Sequence, residues 1–267
     1  MKRTKSKTTL SGVWQVLWPK LLAIAIVVLI WEGVYWLGLR PSFVLPSPGE
    51  TFRTLVAELA TPRLWSAMAT TLGRAIVGFS IAAVIGTALG LAVSSWRTLR
   101  LAVGSLITGL QTMPSIAWFP FAILLFGLSE QAIFFVIVLG ATPSIANGLI
   151  SGIDHVPPAY RKLGQVLGAR GFALYRHIIF PASLPAYVSG LTQGWAFAWR
   201  SLMAGELLVI IASKPSLGET LEFARQFSNA PLLLATMIVI LILGMLVDGL
   251  FSMLARQVRR RRGLLAE

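Results

Sequence analysis

Several separate apolar stretches constrain this chain more than any other feature, because each is near the roughly 20 residues that a helix needs to cross about 30 Å of hydrocarbon. Hydropathy places six of them, at about 21–39, 68–94, 100–126, 132–152, 183–211 and 231–254. With 56% hydrophobic and 12% charged residues, the chain is too apolar for a surface facing only water. Lipid is then the solvent for most of it, and in lipid the backbone must satisfy its own hydrogen bonds, which makes these stretches helices. The expected fold is an all-α membrane protein with about six transmembrane helices. Glycines within the spans, such as Gly78, Gly86, Gly90, Gly104 and Gly109, favour close helix packing.

A net charge of +13 on a soluble protein would raise nucleic acid as a partner, but here its distribution explains it better. Basic residues stay on the cytoplasmic side of a membrane. Lys2, Arg3, Lys5, Lys7 and Lys20 precede or open the first span, and Arg97 and Arg100 join the second to the third. Arg161, Lys162, Arg170 and Arg176 join the fourth to the fifth, and Arg256 and Arg259 to Arg262 form the tail. Six spans put all of these on one side and both termini in the cytoplasm. The tail RQVRRRRG reads as a topology signal facing anionic lipid headgroups.

The basic N-terminus ahead of an apolar run superficially suggests a signal peptide, but 21–39 is too long and too aromatic for one, so it is expected to stay as the first span. The chain has no cysteine, which excludes disulfides and thiolate metal sites, and its two histidines, His155 and His177, make a histidine-built metal site unexpected. One transmembrane domain is expected: a cytoplasmic segment 1–20, a first span 21–39, a periplasmic segment 40–67, a core bundle 68–254 and a basic tail 255–267. Two outer segments carry helix starts. Ser47-Pro48 caps one over 47–61, and Ser216 with Glu219 forms a capping-box pattern over 216–228.

The connection between the fourth and fifth spans, 154–182, is too long for a turn and too short for a domain. From Pro158 to Pro185 it reads PAYRKLGQVLGARGFALYRHIIFPASLP. Tyr160, Leu163, Val166 and Leu167 have the spacing of one apolar helix face, and Gly168 and Gly171 can end that helix. This stretch resembles the cytoplasmic coupling segment of binding-protein-dependent ABC importer permeases, in which Glu-Ala-Ala, three residues, Gly, nine residues and Ile-x-Leu-Pro follow in order. Gly168, Ile178 and Pro181 match; Lys162, Leu163 and Gly164 stand where Glu-Ala-Ala is usual, and Phe180 where Leu is usual. The resemblance implies that Tyr160, Lys162, Leu163, Gly164, Gly168, Ile178 and Pro181 couple the chain to an ATPase.

Three more stretches are similar to the nitrate, sulfonate, taurine and bicarbonate importer permeases: Leu45-Pro46-Ser47-Pro48, TMPSIAWFPFAILLFG over 112–127, and QGWAFAWRSLMAGELL over 193–208. The resemblance implies a type I ABC importer permease fold. It also implies two permease copies, two ATPase subunits holding ATP and Mg, and an external solute-binding protein. No phosphate-cradling GxxxxGK[ST] motif occurs, so ATP hydrolysis is expected in a separate subunit, with no cofactor on this chain and no enzyme activity of its own. The expected cargo is an aliphatic sulfonate, then nitrate, taurine or bicarbonate. An ion-coupled secondary carrier is the alternative, against which stands the absence of an internal repeat.

Candidate path residues follow from cost. Pro114 and Pro120 each remove a backbone hydrogen bond within one expected span, and Trp118 lies between them; either a route or a packing kink answers to that pattern. Arg200 lies about 22 Å beyond Pro185 along a helix, well inside hydrocarbon, and its fork suits an oxyanion. A structural pairing of Arg200 with Glu206 or Glu32 is equally open. Trp195 and Trp199 share a helix face and form either an aromatic wall beside Arg200 or a headgroup belt.

Overall fold

A computed structural model describes residues 10–261, and among these every regular element is helical. Lys2, Arg3, Lys5, Lys7 and Arg262 lie outside the described residues. In chain order the helices are α1 (Leu10–Trp36), α2 (Pro48–Leu59), α3 (Pro62–Ser95), α4 (Arg97–Thr112), α5 (Phe119–Phe126), α6 (Glu130–Asp154), α7 (Pro158–Val166), α8 (Gly171–Leu174), α9 (Phe180–Leu208), α10 (Leu217–Gln226) and α11 (Ala230–Arg261). A 3-10 turn, Ser115–Trp118, precedes α5, and a π turn, Tyr175–Ile179, leads into α9.

Contacts between small residues set the helix directions. Gly78, Gly86 and Gly90 of α3 lie against Ile137, Ile145 and Leu149 of α6, so the two helices run parallel. Gly140, Gly148 and Gly152 of α6 lie against Ser201, Gly190 and Ser183 of α9, so this pair is antiparallel. The α6–α9 approach is backbone on backbone: a Cβ on Gly148 would come within 2.5 Å of the Gly190 Cα. Gly244 of α11 meets Trp199, and Phe251 stacks on Trp195 at 5.5 Å between ring centroids, which makes α11 antiparallel to α9. The core sits where α3, α6 and α9 meet, and Ile133, Ile137, Ile145, Leu149 and Leu202 are fully buried there.

Because α3 and α6 are parallel, the chain must return from one end of the bundle to the other through α4 and α5. It does so with a 104° bend between them, so the expected span 100–126 is a broken one. The break falls at Met113-Pro114. Pro120 breaks nothing, contrary to the sequence expectation: it occupies the first turn of α5, where its missing N–H has no helical partner to lose.

Four helices, α1, α3, α6 and α11, are long and apolar enough to cross a membrane, and the α4–α5 pair makes a fifth candidate. The sixth expected span, 183–211, is α9, whose 29 residues reach about 43 Å. It falls outside the apolar set because Ser183, Ser189, Thr192, Gln193, Arg200, Ser201 and Glu206 lower its hydropathy, and Ser183, Ser201 and Glu206 are among its buried residues. The helices also overrun their expected ends. α3 begins at Pro62 inside the segment expected to be an outer loop, and α11 continues through the basic tail to Arg261.

The bundle therefore has two chemically different ends. At one lie the end of α3, the start of α4, α7 and α8, the start of α9 and the end of α11; Arg100 donates to Asp154 there at 2.6 Å. Arg97, Arg161, Lys162, Arg170, Arg176, Arg256 and Arg259 gather at this basic end. At the other end are α2, α10 and the starts of α3, α6 and α11. There Ser47 caps α2 by accepting from the Glu50 N–H at 3.1 Å, and both bonds of the Ser216–Glu219 capping box form, at 3.2 and 3.1 Å.

Candidate coupling and translocation site

At the basic end, Pro158 opens α7 at a position that needs no N–H. The helix closes through a Schellman motif: the Ala169 N–H donates to Gly164 O at 2.9 Å and the Gly168 N–H to Gln165 O at 3.0 Å. That exit requires the left-handed backbone of Gly168, at φ +84. Gly164 is buried because the Ile178 and Leu174 side chains press on it, which fastens α7 to the head of α9. Arg161 ties α7 separately to the end of α6 by donating to Ile153 O at 3.4 Å.

This packing leaves Tyr160, Leu163 and Leu167 exposed by 51, 58 and 74% on one stripe of α7. Together with Ile178 and Pro181 they line a groove of about 730 Å³. The structure thus brings the coupling candidates together, with Gly164 beneath the groove, Gly168 at its exit turn and Lys162 exposed on the solvent side.

Between α4, α6, α9 and α11 lies a cavity of about 1080 Å³. Its wall carries a group of polar side chains, unusual within helices this apolar: Gln111, Asn147, Thr192, Gln193, Asp248 and Ser252 contribute, with Arg256 and Arg259 toward the basic end. Gln111 donates to Ser144 Oγ at 2.9 Å and accepts from Asn147 Nδ2, so its amide is fixed in place. Arg259 donates to Ser189 at 3.0 Å. Sequence reasoning passed over the amides of this set, although glutamine and asparagine at 111, 147 and 193 inside otherwise apolar stretches were a readable signal.

Gln111, Thr112 and Phe197 also line a second hollow of about 360 Å³ beside the bend, together with Pro114 and Arg200. The two hollows therefore adjoin through shared walls. Arg200 is exposed; its Nε donates to Ala196 O of its own helix at 3.0 Å and its guanidinium lies 4.8 Å from the Phe197 ring centre. Trp195 is 3% exposed in an aromatic cluster with Phe79, Trp199 and Phe251, and only the rim of that cluster reaches a groove shared with Arg200. Trp118 stands apart from these hollows and packs edge-on to Phe121.

The structure pairs Arg200 with neither acid considered for it. Glu32 accepts from Trp36 Nε1 at 2.7 Å. Glu206 is fully buried and accepts from Arg74 Nη1 at 2.9 Å, from Thr71 Oγ1 at 2.9 Å and from the Gly218 N–H at 3.1 Å, at the N-terminus of α10. Arg74 is 4% exposed and also holds Glu130 at 2.8 Å, which Lys214 reaches at 3.2 Å. Glu206 thus ties α9 to α3 and α10, and Arg74 extends the tie to α6 through Glu130, at the end away from the basic residues. Arg74 went unrecognised as its partner because 132 residues separate the two, a distance that helix periodicity cannot bridge.

Residues 85–260 match the family described as binding-protein-dependent transport system inner membrane component. A putative ABC transporter permease protein of Methanocaldococcus jannaschii is 30% identical and covers 84% of each chain. A putative aliphatic sulfonates transport permease protein of Bacillus subtilis is 28% identical, over 92% of this chain and 88% of its own. Among solved structures, a chain of the MetNI methionine ABC transporter in an inward-facing conformation shares the fold with a TM-score of 0.63 at 20% identity, over 73% of this chain and 96% of that one.

Proposed function

The chain belongs to the family of binding-protein-dependent transport system inner membrane components, and on that basis we propose that it is the solute-conducting subunit of an ATP-driven importer for a small oxoanion. The observation that carries the mechanism is the exposed stripe of Tyr160, Leu163 and Leu167. Apolar side chains grouped on one face of a short helix outside the lipid mark a protein interface. Their partner in this reading is an ATPase subunit, which hydrolyses ATP with Mg, and the basic end is the cytoplasmic one. Both termini then lie in the cytoplasm. Two copies of the chain enclose the path, and an external binding protein delivers the solute to the opposite end.

Closure of the ATPase pair moves α7, and the Gly164 joint passes that motion to α9 as rigid-body tilting. Solute passes from the hollow holding Arg200 and Pro114 into the amide-lined cavity. An arginine fork with hydroxyl and amide donors suits the oxygens of a sulfonate or nitrate. The B. subtilis relative named for aliphatic sulfonates puts these first, ahead of nitrate, taurine and bicarbonate.

Reconstitution of the chain with its ATPase and binding protein tests this reading. ATPase turnover should rise when the loaded binding protein is added with an aliphatic sulfonate. Failure of every oxoanion to stimulate turnover would overturn the substrate class.

A further inference from the structure

Two opposite charges stand on the same outward face at membrane depth with no ionic partner among the described residues. Arg200 lies eight residues, about 12 Å, short of the end of α9. Asp248 lies eighteen residues, about 27 Å, into α11, within the most apolar of the candidate spans. Both side chains are exposed. Asp248 makes no described hydrogen bond or ion pair, and Arg200 turns back on its own Ala196 carbonyl. That turn lowers the guanidinium to the level of Ala196, which lines the same groove of about 560 Å³ and the same large cavity as Asp248. Gly244 lies against Trp199 and Phe251 on Trp195, so Asp248 is level with the turn between those tryptophans, the height to which Arg200 turns back, and the two charges share a depth.

Lipid cannot cover either charge cheaply, and a rotamer joining them within one chain would still leave an ion pair facing hydrocarbon. The face needs a cover that brings an acid to Arg200 and a base to Asp248 at one depth, with apolar surface to match Met203, Met237 and Leu241 around them. A two-fold copy of the same face has all three properties, because a two-fold axis along the membrane normal preserves depth and repeats each contact in reverse. We infer that the α9–α11 face is the contact between two copies of this chain, and that Asp248 of the partner subunit holds one edge of the Arg200 guanidinium, whose remaining N–H donors are left to the solute. The inference rests on the two-copy reading above and makes the Arg200 hollow a composite of both copies.

The chain has no cysteine, so introduced thiols report without background. Chains carrying Arg200→Cys and Asp248→Cys, each with its own affinity tag, are co-expressed with the ATPase and treated with a short bismaleimide. Such a spacer is used because an arginine–aspartate pair holds its Cα atoms farther apart than a disulfide spans. A linked species bearing both tags is expected, with none when either variant is expressed alone. Co-purification without a link overturns this contact and leaves the two-copy reading standing; failure of unsubstituted tagged chains to co-purify overturns that reading itself. As a second measurement, Arg200→Asp and Asp248→Arg should each lower recovery of the two-copy complex at least tenfold, and the double exchange should restore it to within about twofold. A double exchange no better than the single ones would overturn the pairing.

Discussion

Gly218 rests against the backbone of Glu206: a Cβ at position 218 would lie 2.8 Å from the Glu206 carbonyl carbon, while the Gly218 N–H donates to the carboxylate at 3.1 Å. Close approach and hydrogen bond depend on each other. Gly218→Ala should push α10 off the end of α9 and cost about 1–3 kcal/mol, as overpacking in a buried contact does. Thermal unfolding of the purified protein in detergent measures it, and an unchanged midpoint would show that α10 does not sit there.

Arg74 and Glu206 are a buried pair, so removal of one partner should hurt more than removal of both. Arg74→Met leaves Glu206 without its cation and should cost about 3–5 kcal/mol. Arg74→Met with Glu206→Met should recover much of that loss, since apolar replacement of a buried ion pair is often near neutral. A double variant whose loss equals the sum of the single losses would contradict the assigned pairing.

The α7 stripe predicts a defect in assembly without one in folding. Leu163→Glu changes an exposed side chain, so the permease should unfold within about 0.5 kcal/mol of the unsubstituted protein yet lose its ATPase on affinity purification. Gly168→Val differs, because a β-branched residue at φ +84 costs about 1–2 kcal/mol and undoes the helix exit. ATP-driven uptake by vesicles should fall at least tenfold, and normal uptake would remove Gly168 from the coupling element.

Gln111 tests the cavity. Gln111→Leu removes the fixed amide and the bonds to Ser144 and Asn147 at a wall that water reaches, so stability should fall by only about 1 kcal/mol. Uptake by the assembled complex should drop at least tenfold at unchanged ATPase content. Uptake at the unsubstituted level would exclude Gln111 from the solute route.

Local chemistry was readable from sequence wherever cause and effect lie within a few residues. Ser47 with Pro48, and Ser216 with Glu219, start the helices their side-chain chemistry implies, and Gly168 ends α7 as expected. Hydropathy located α1, α3, α6 and α11 because each is apolar along its length, whether its apolar stretch is unburied, as in α1, or mostly buried, as in α6. It placed α9 as closely, at 183–211 against Phe180–Leu208, although that helix buries Glu206 and Ser201. The bend was half legible: Pro114 marks it, but a proline shows where hydrogen bonds are missing and not how far the chain turns, and Pro120 carries the same letter at a harmless position. Of the path candidates, Arg200 and Pro114 share a hollow, while Trp195 and Glu206 are occupied in packing and ion pairing that connect distant helices. Such long-range pairing leaves no period in a single sequence.

The contact of Gly148 with Gly190 clamps together the two helices whose connection carries α7 and α8. The arrangement is a pair of tongs with its arms already touching, and squeezing the grip cannot bring the tips closer. A load taken up at α7 has only one outlet, which is to swing both arms as a single bar. The Arg74–Glu206 knot sits near the far tip of that bar, where the longest excursion falls.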